Sequence, residues 1–232
     1  MIYFMHIPKT AGTSMRRLFA HGVEPEEIVY IYLPPTGLEL DNLYALPPHR
    51  IDALKVLFGH FHYGVDARLS RPGKYLTCLR ETGSRLVSNY RQHVRGGFVG
   101  SLSLLDYFNE WRPKDMDNYT VRLLAGVGHD VPFGEVTQEH LRQAKRNLQT
   151  RFSAFGLYEH LPETISRFRH VLGLSAGEVG EDNVTPTTQR NEPIPHREIS
   201  ALVLHNALDN ELYAYAKELF FAQEADGAAK RR

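Results

Sequence analysis

Hydrophobic residues along this chain fall into two alternating patterns. Ile2–Ile7, Ile28–Leu33, Lys55–Gly59, Tyr75–Leu79 and Ala154–Tyr158 are short apolar runs of the length and composition of buried strands. Between and after them, Ser14–Ala20, Gly83–Arg95, Leu102–Trp111, Asn118–Leu124, Thr137–Thr150 and Pro162–Leu172 carry apolar residues at helical spacing. In Gly83–Arg95, for instance, Leu86, Val87, Tyr90 and Val94 share one face. Ile199, Leu202, Val203, Leu212, Ala216, Leu219 and Phe220 fit the core face of one C-terminal helix, and Gly173–Pro195 reads as a polar, proline-containing loop. Pro34–Pro48 fits no element. Alternating apolar strands and amphipathic helices predict an α/β fold with a parallel sheet covered on both sides. No repeat, low-complexity tract or linker divides the chain. It therefore reads as one domain over residues 1–226, with 227–232 a frayed, disordered tail.

Composition narrows the chemistry. The 27 basic residues equal the 27 acidic ones, so net charge drives the chain toward neither nucleic acid nor membrane, and any anion site must be local. Cys78 is the single cysteine, which excludes an internal disulfide and a cysteine zinc site. It lies inside an apolar run and reads as a buried strand residue. No apolar stretch approaches the ~18 residues of a membrane span, and Met1–Ile7 is too short for a signal peptide. The expectation is a soluble, cytoplasmic protein.

Two segments carry anion-binding chemistry. The first is His6-Ile7-Pro8-Lys9-Thr10-Ala11-Gly12-Thr13-Ser14, set between a strand and a helix. Gly12 permits a tight turn and close approach of a ligand. The helix that follows aims free N–H groups at whatever the loop holds, Thr13 and Ser14 add hydroxyls, and Lys9 adds a charge. The order differs from the nucleoside-triphosphate loop, in which lysine directly precedes the hydroxyl residue and a magnesium ion binds beside it. The second segment is Arg80-Glu81-Thr82-Gly83-Ser84-Arg85-Leu86-Val87-Ser88. Arg80 ends a strand, where open α/β sheets bind ligands. Arg85, Ser88, Arg91 and Arg95 recur at helical spacing and share a polar stripe suited to a phosphate monoester.

The first segment resembles the 5'-phosphosulfate loop of sulfotransferases that use 3'-phosphoadenosine 5'-phosphosulfate (PAPS). It is most similar to the carbohydrate branch that includes heparan sulfate and chondroitin 2-O-sulfotransferases and related bacterial proteins. Ala11 stands where many members have glycine, an exchange that is tolerable if the backbone there needs no positive φ. The second segment resembles the family's 3'-phosphate motif, an arginine followed eight positions later by a serine, and Arg80 and Ser88 match it. Thr82 stands where the family usually has proline, which predicts a less rigid turn.

The resemblance implies a single P-loop-like domain with a central parallel sheet of about five strands flanked by helices. It also implies PAPS as sulfuryl donor, adenosine 3',5'-bisphosphate as product and no metal. Lys9, Thr10, Gly12, Thr13, Ser14, Arg80 and Ser88 would bind the nucleotide. Arg190, in the late segment Asn183–Arg190 that resembles a loop closing over the cofactor, would join them.

Leu57-Phe58-Gly59-His60-Phe61-His62 places two histidines after an apolar run. Imidazole is the group best matched to taking a hydroxyl proton near neutral pH. In the sugar sulfotransferases a histidine in this Gly-His context is the catalytic base, which His60 matches; His62 is the second choice, on the same face if the strand continues. Two imidazoles without a carboxylate or cysteine signature make a weak metal site. Asn118 and Arg122, one helical turn apart, could face the site or solvent. Phe61, Tyr63, Phe98, Trp111 and Tyr119 could stack on a sugar or fill the core.

The reading is a sulfotransferase that acts on an acceptor hydroxyl, carried by a saccharide or glycan. Lys9 would neutralise the leaving phosphate and His60 would take the acceptor proton. The alternatives are a P-loop kinase or NTPase, which would need ATP and magnesium, and a non-catalytic nucleotide- or sugar-binding module, which would not need His60.

Overall fold

The computed structural model describes residues 1–20, 23–32, 37–174 and 193–229. Arg190 and the segment around it lie outside the described residues. The apolar runs form strands β1 (Ile2–Met5), β2 (Ile28–Ile31), β3 (Val56–Gly59), β4 (Lys74–Leu79) and β5 (Phe152–Leu157). They build one parallel sheet in the order β2-β3-β1-β4-β5. The alternation predicts the α/β fold and its parallel sheet, and the resemblance implies the five strands.

Parallel pairing needs a crossover after each strand, and helices supply it. In chain order these are α1 (Gly12–Ala20), α2 (Leu40–Tyr44), α3 (Pro48–Ala53), α4 (Val65–Leu69), α5 (Thr82–Arg95), α6 (Leu104–Trp111), α7 (Tyr119–Ala125), α8 (Gln138–Thr150), α9 (Leu161–Leu172), α10 (His196–His205) and α11 (Ala207–Ala229). Alternation along β1 sends Tyr3 and Met5 to one face and Phe4 and His6 to the other. Tyr3 and Met5 join a core with α7, α8 and α11. Phe4 joins Phe58, Leu76 and Cys78 in a second core with α1 and α9. Both faces are therefore covered, and Cys78 is a buried strand residue, as read.

Several expectations change. The segment Pro34–Pro48, left unassigned, carries α2 and the start of α3, and α4 was not foreseen. The C-terminal stripe is two helices rather than one. Asn206, fully buried, ends α10: its N–H and its Nδ2 both donate to the Leu202 carbonyl, at 3.0 and 2.9 Å. Asn118 then caps α11, its Oδ1 accepting the N–H groups of Leu208 and Asp209 at 3.1 Å each. The last helix runs to Ala229.

Register positions the site. Met5 pairs with Gly59 of β3 on one side and with Thr77 of β4 on the other. The residues that follow these three strands therefore emerge side by side at one edge of the sheet: the loop from His6, then His60, then Arg80. Thr77 Oγ1 donates to the Met5 carbonyl at 2.8 Å, His6 N–H to Gly59 and His60 N–H to Ile31, each at 2.8 Å. The strand ends are thus locked together where ligands of open α/β sheets bind.

Candidate active site

The loop after β1 is held in its shape by its own chemistry. Lys9 and Ala11 both adopt left-handed backbone, at φ 71° and 66°, on either side of Thr10. The condition under which alanine at 11 is neutral is therefore not met. Thr10 is fully buried and its hydroxyl donates to the Ile7 carbonyl at 2.7 Å, so the side chain holds the loop and only its backbone remains for a ligand. Gly12 is required for a reason the sequence did not show. A Cβ there would stand 2.2 Å from Nε2 of His6, beneath the loop. The first bond of α1 runs from Met15 N–H to Ala11, at 3.0 Å. The N–H groups of Gly12, Thr13 and Ser14 are left at the open helix end, with the Thr13 side chain exposed and that of Ser14 half-buried.

Arg80 ties the second segment to the first. Its Nη1 donates to the Lys9 carbonyl at 3.0 Å, and its guanidinium lies 4.0 Å from the ring centre of Tyr158, just past β5. Its Nε is buried without a hydrogen-bond partner, as is that of Arg91 on α5. Buried donors of this kind suit an incoming anion. Burial lowers the Lys9 ammonium below its usual value, and Arg95 and Arg80 push it the same way. The positive charges are crowded before any anion arrives.

The turn after Arg80 is fixed by Glu81 in place of proline. Its carboxylate accepts the N–H groups of Gly83 and Ser84 at 2.8 and 2.6 Å, capping α5. Burial opposes ionisation of Glu81, but these bonds and Arg80 outweigh it and hold the carboxyl below its ordinary range. Glu81 N–H donates to Glu159 at 3.0 Å, and Glu159 also accepts from Tyr213 at 2.6 Å. Ser88 sits two turns into α5, half-buried.

The polar stripe loses one member. Arg85 is fully buried, pairs with Asp209 at 3.6 Å and donates to the Asp115 carbonyl at 3.1 Å. Nor do Asn118 and Arg122 reach the site. Arg122 is fully buried and donates to the carbonyls of Asp117, Val131 and Pro132 and to the Asp117 carboxylate, while Asn118 joins α7 to α11. Helical spacing places residues on a face, but what covers that face is decided by elements distant in sequence.

β3 ends at Gly59, so strand alternation does not extend to His60 and His62. His60 packs 5.1 Å from the ring of His6 and 4.6 Å from that of Tyr32. Its side chain reaches solvent, and desolvation by the protein packed around it lowers it to about 4, with the charge of Asp115 acting the other way. His62 turns aside: its Nδ1 lies 2.9 Å from the Tyr63 carbonyl, and its ring lies against Gly128.

Two further residues bear on His60. His6 bonds to the Tyr32 hydroxyl through Nδ1 at 2.9 Å, and its Nε2 is buried without a partner. Burial lowers it to about 3, with help from His60 and Lys9, so the ring is neutral. Its place at the head of the loop was the only sequence signal. Asp115 lies in the 3-10 turn Lys114–Met116, with no motif around it. Among the described residues, no group of three His, Cys, Asp or Glu could hold a metal, and no helix is long and apolar enough to cross a membrane.

No family model and no curated protein sequence matches the chain. Its fold is similar to two solved sulfotransferases. One is the sulfotransferase from Alicyclobacillus acidocaldarius, at 18% identity and a TM-score of 0.47, over 90% of this chain and 92% of that one. The other is mouse sulfotransferase SULT7A1 complexed with PAP, at 10% identity and a TM-score of 0.44, over 89% of this chain and 65% of that one. At these scores neither likeness assigns an activity, and the site rests on its own geometry.

Proposed function

We propose that the protein is a sulfotransferase that moves a sulfuryl group from PAPS to an acceptor hydroxyl on a carbohydrate. The observation that carries this reading is the pairing of two anion sites at adjacent strand ends, joined by the bond from Arg80 to the Lys9 carbonyl. One site suits a phosphosulfate. The other suits the 3'-phosphate that distinguishes PAPS from ATP.

In the proposed step, the acceptor oxygen forms a bond to sulfur as the bond from sulfur to the phosphate oxygen breaks. Lys9 and the N–H groups of Gly12, Thr13 and Ser14 offset the charge that develops on that oxygen. His60 takes the acceptor proton, and adenosine 3',5'-bisphosphate leaves. A ring lowered to about 4 is neutral near pH 7 and so able to accept a proton, although it is a weaker base than free imidazole. Ser88 and Arg190 complete the nucleotide site in this reading.

Thermal shift with nucleotides tests it. Adenosine 3',5'-bisphosphate at about a hundredfold excess over its Kd should stabilise the fold by about 2.7 kcal/mol, ATP far less, and EDTA should change neither. Arg80→Ala should remove roughly ten- to a hundredfold of affinity for the bisphosphate, the worth of a charge-assisted bond, and little for adenosine 5'-phosphate. Equal stabilisation by ATP, with a magnesium requirement, would favour the NTPase reading instead.

A further inference from the structure

Of the aromatic residues that could stack on a sugar, the fold sorts core from surface. Phe61 and Tyr119 are buried, and Tyr63 packs against Tyr75 and Phe152. Phe98 and Trp111 are 66% and 62% exposed. Neither is a loose tip. Phe98 folds back across the end of α5, where a Cβ on Gly96 would stand 2.5 Å from its ring, and it meets His93 edge-on at 6.5 Å. Trp111 lies 6.1 Å from Tyr107.

His93 and Tyr107 are themselves joined, Nδ1 to hydroxyl at 3.0 Å, and His93 Nε2 is 3.3 Å from Asp115 Oδ2. With Nε2–H directed at the carboxylate, a neutral ring leaves Nδ1 to accept from Tyr107. Asn89 Nδ2 donates to the same Oδ2 at 2.9 Å. Among the described residues both donors use one oxygen, and the side chain remains 25% exposed, so Oδ1 is left for a ligand. Burial disfavours ionisation of Asp115, but His93, Asn89 and Arg85 outweigh it and the carboxyl is held below its ordinary range. Asn89 and His93 both stand on α5, so Asp115 is held against the helix that carries Ser88 and Arg91.

We propose that Asp115, Phe98 and Trp111 form the subsite that holds the sugar ring of the acceptor, and that the subsite favours an uncharged or amino-bearing ring over a uronate. The inference rests on the sulfuryl-transfer reading for the identity of the reaction, but its binding chemistry stands separately. A sugar ring has an apolar C–H face, which an exposed aromatic ring covers, and an edge of hydroxyls, which a fixed carboxylate accepts from. The same carboxylate attracts an ammonium and repels a second carboxylate. Asp115 here is a binding residue, not a second base.

Trp111 is the single tryptophan of the chain, so its emission reports on this subsite alone. Cellobiose, the amino-bearing disaccharide of chitosan and a disaccharide of glucuronic acid are titrated with the bisphosphate present at saturation. The first two should shift Trp111 emission, with Kd at least tenfold below that of the uronate. Asp115→Asn should weaken them about tenfold and erase the discrimination, with bisphosphate affinity by calorimetry unchanged within twofold. Phe98→Ala, a surface change that spares the fold, should weaken them roughly three- to tenfold. The subsite is refuted by an emission that answers none of the three sugars, by a uronate that binds as well as the others, or by affinities that both variants leave intact. Failure of the bisphosphate to bind the wild-type chain would instead sink the sulfotransferase reading. The sugar titration without nucleotide would then still decide the subsite.

Discussion

At the residue scale, the loop's two left-handed positions set the terms. Alanine in this conformation costs roughly 1–2 kcal/mol, because its Cβ crowds the following carbonyl. Glycine removes that cost but loses about 0.5–1 kcal/mol of chain entropy on folding. Ala11→Gly should therefore stabilise the protein by up to about 1 kcal/mol, read as a higher denaturation midpoint at an unchanged m-value. A lower midpoint would mean that the methyl group has packing worth more than the strain. Ala11 is half-buried beside the core under α1, which is where such packing would be found. Gly12 is the opposite case, since any side chain there meets the His6 ring.

At the element scale, the entry to α5 decides where Arg80 points. Helices beginning after a strand leave N–H groups to be capped, and a carboxylate at this end also meets the positive pole of the helix dipole. Glu81 satisfies two such groups and its own N–H is held by Glu159, so the turn needs no proline. Glu81→Ala should cost about 1 kcal/mol, the usual worth of a cap. Calorimetry should register this as a melting temperature lower by about 2–4 °C for a chain of this size. An unchanged melting temperature would show that solvent caps α5 equally well. The same logic explains why the C-terminal stripe is two helices. Apolar spacing continued through Asn206, but the exchange of bonds among Asn118, Asn206, Leu208 and Asp209 ends one helix and starts the next.

At the scale of the whole molecule, His6 beneath the loop and His60 beside it make stability depend on pH. His6 is held neutral to about 3 in the folded chain, while an unfolded histidine titrates near 6.5. Its folded value is depressed, so the stability it contributes is complete above pH 6.5 and is lost as pH falls toward 3. Over that window the unfolded chain binds a proton that the folded chain refuses, at up to about 1.4 kcal/mol per pH unit. His60 acts in the same direction, and the lowered carboxyls of Glu81, Asp115 and Asp117 add to the loss only at lower pH. The melting temperature should thus fall between pH 6.5 and 5, before carboxylates titrate. His6→Gln should flatten that slope. A wild-type melting temperature level across this range would mean that His6 is hydrated or protonated in the folded state.

The sequence by itself determined the strands of the sheet, most of the helices beside it and the two segments proposed to bind anions, because each rests on local periodicity or on residues adjacent in the chain. Strand length, apolar faces and a strand-loop-helix with Lys9, Gly12, Thr13 and Ser14 can all be read within a window of a dozen positions. Only the tertiary structure decided which polar residues face the site. Arg85 reads as part of the anion-binding stripe and Arg122 as facing the site or solvent, and both are buried, because Asp209 and the carbonyls of Val131 and Pro132 reach them from other elements. Asp115 carries no motif and is placed by Asn89 and His93, both on another helix. His60 and Arg80, 20 positions apart, come together with Lys9 only because β3 and β4 flank β1 in register. Hydrophobic period is a property of neighbours in sequence, whereas the partner that satisfies a buried charge is a property of neighbours in space.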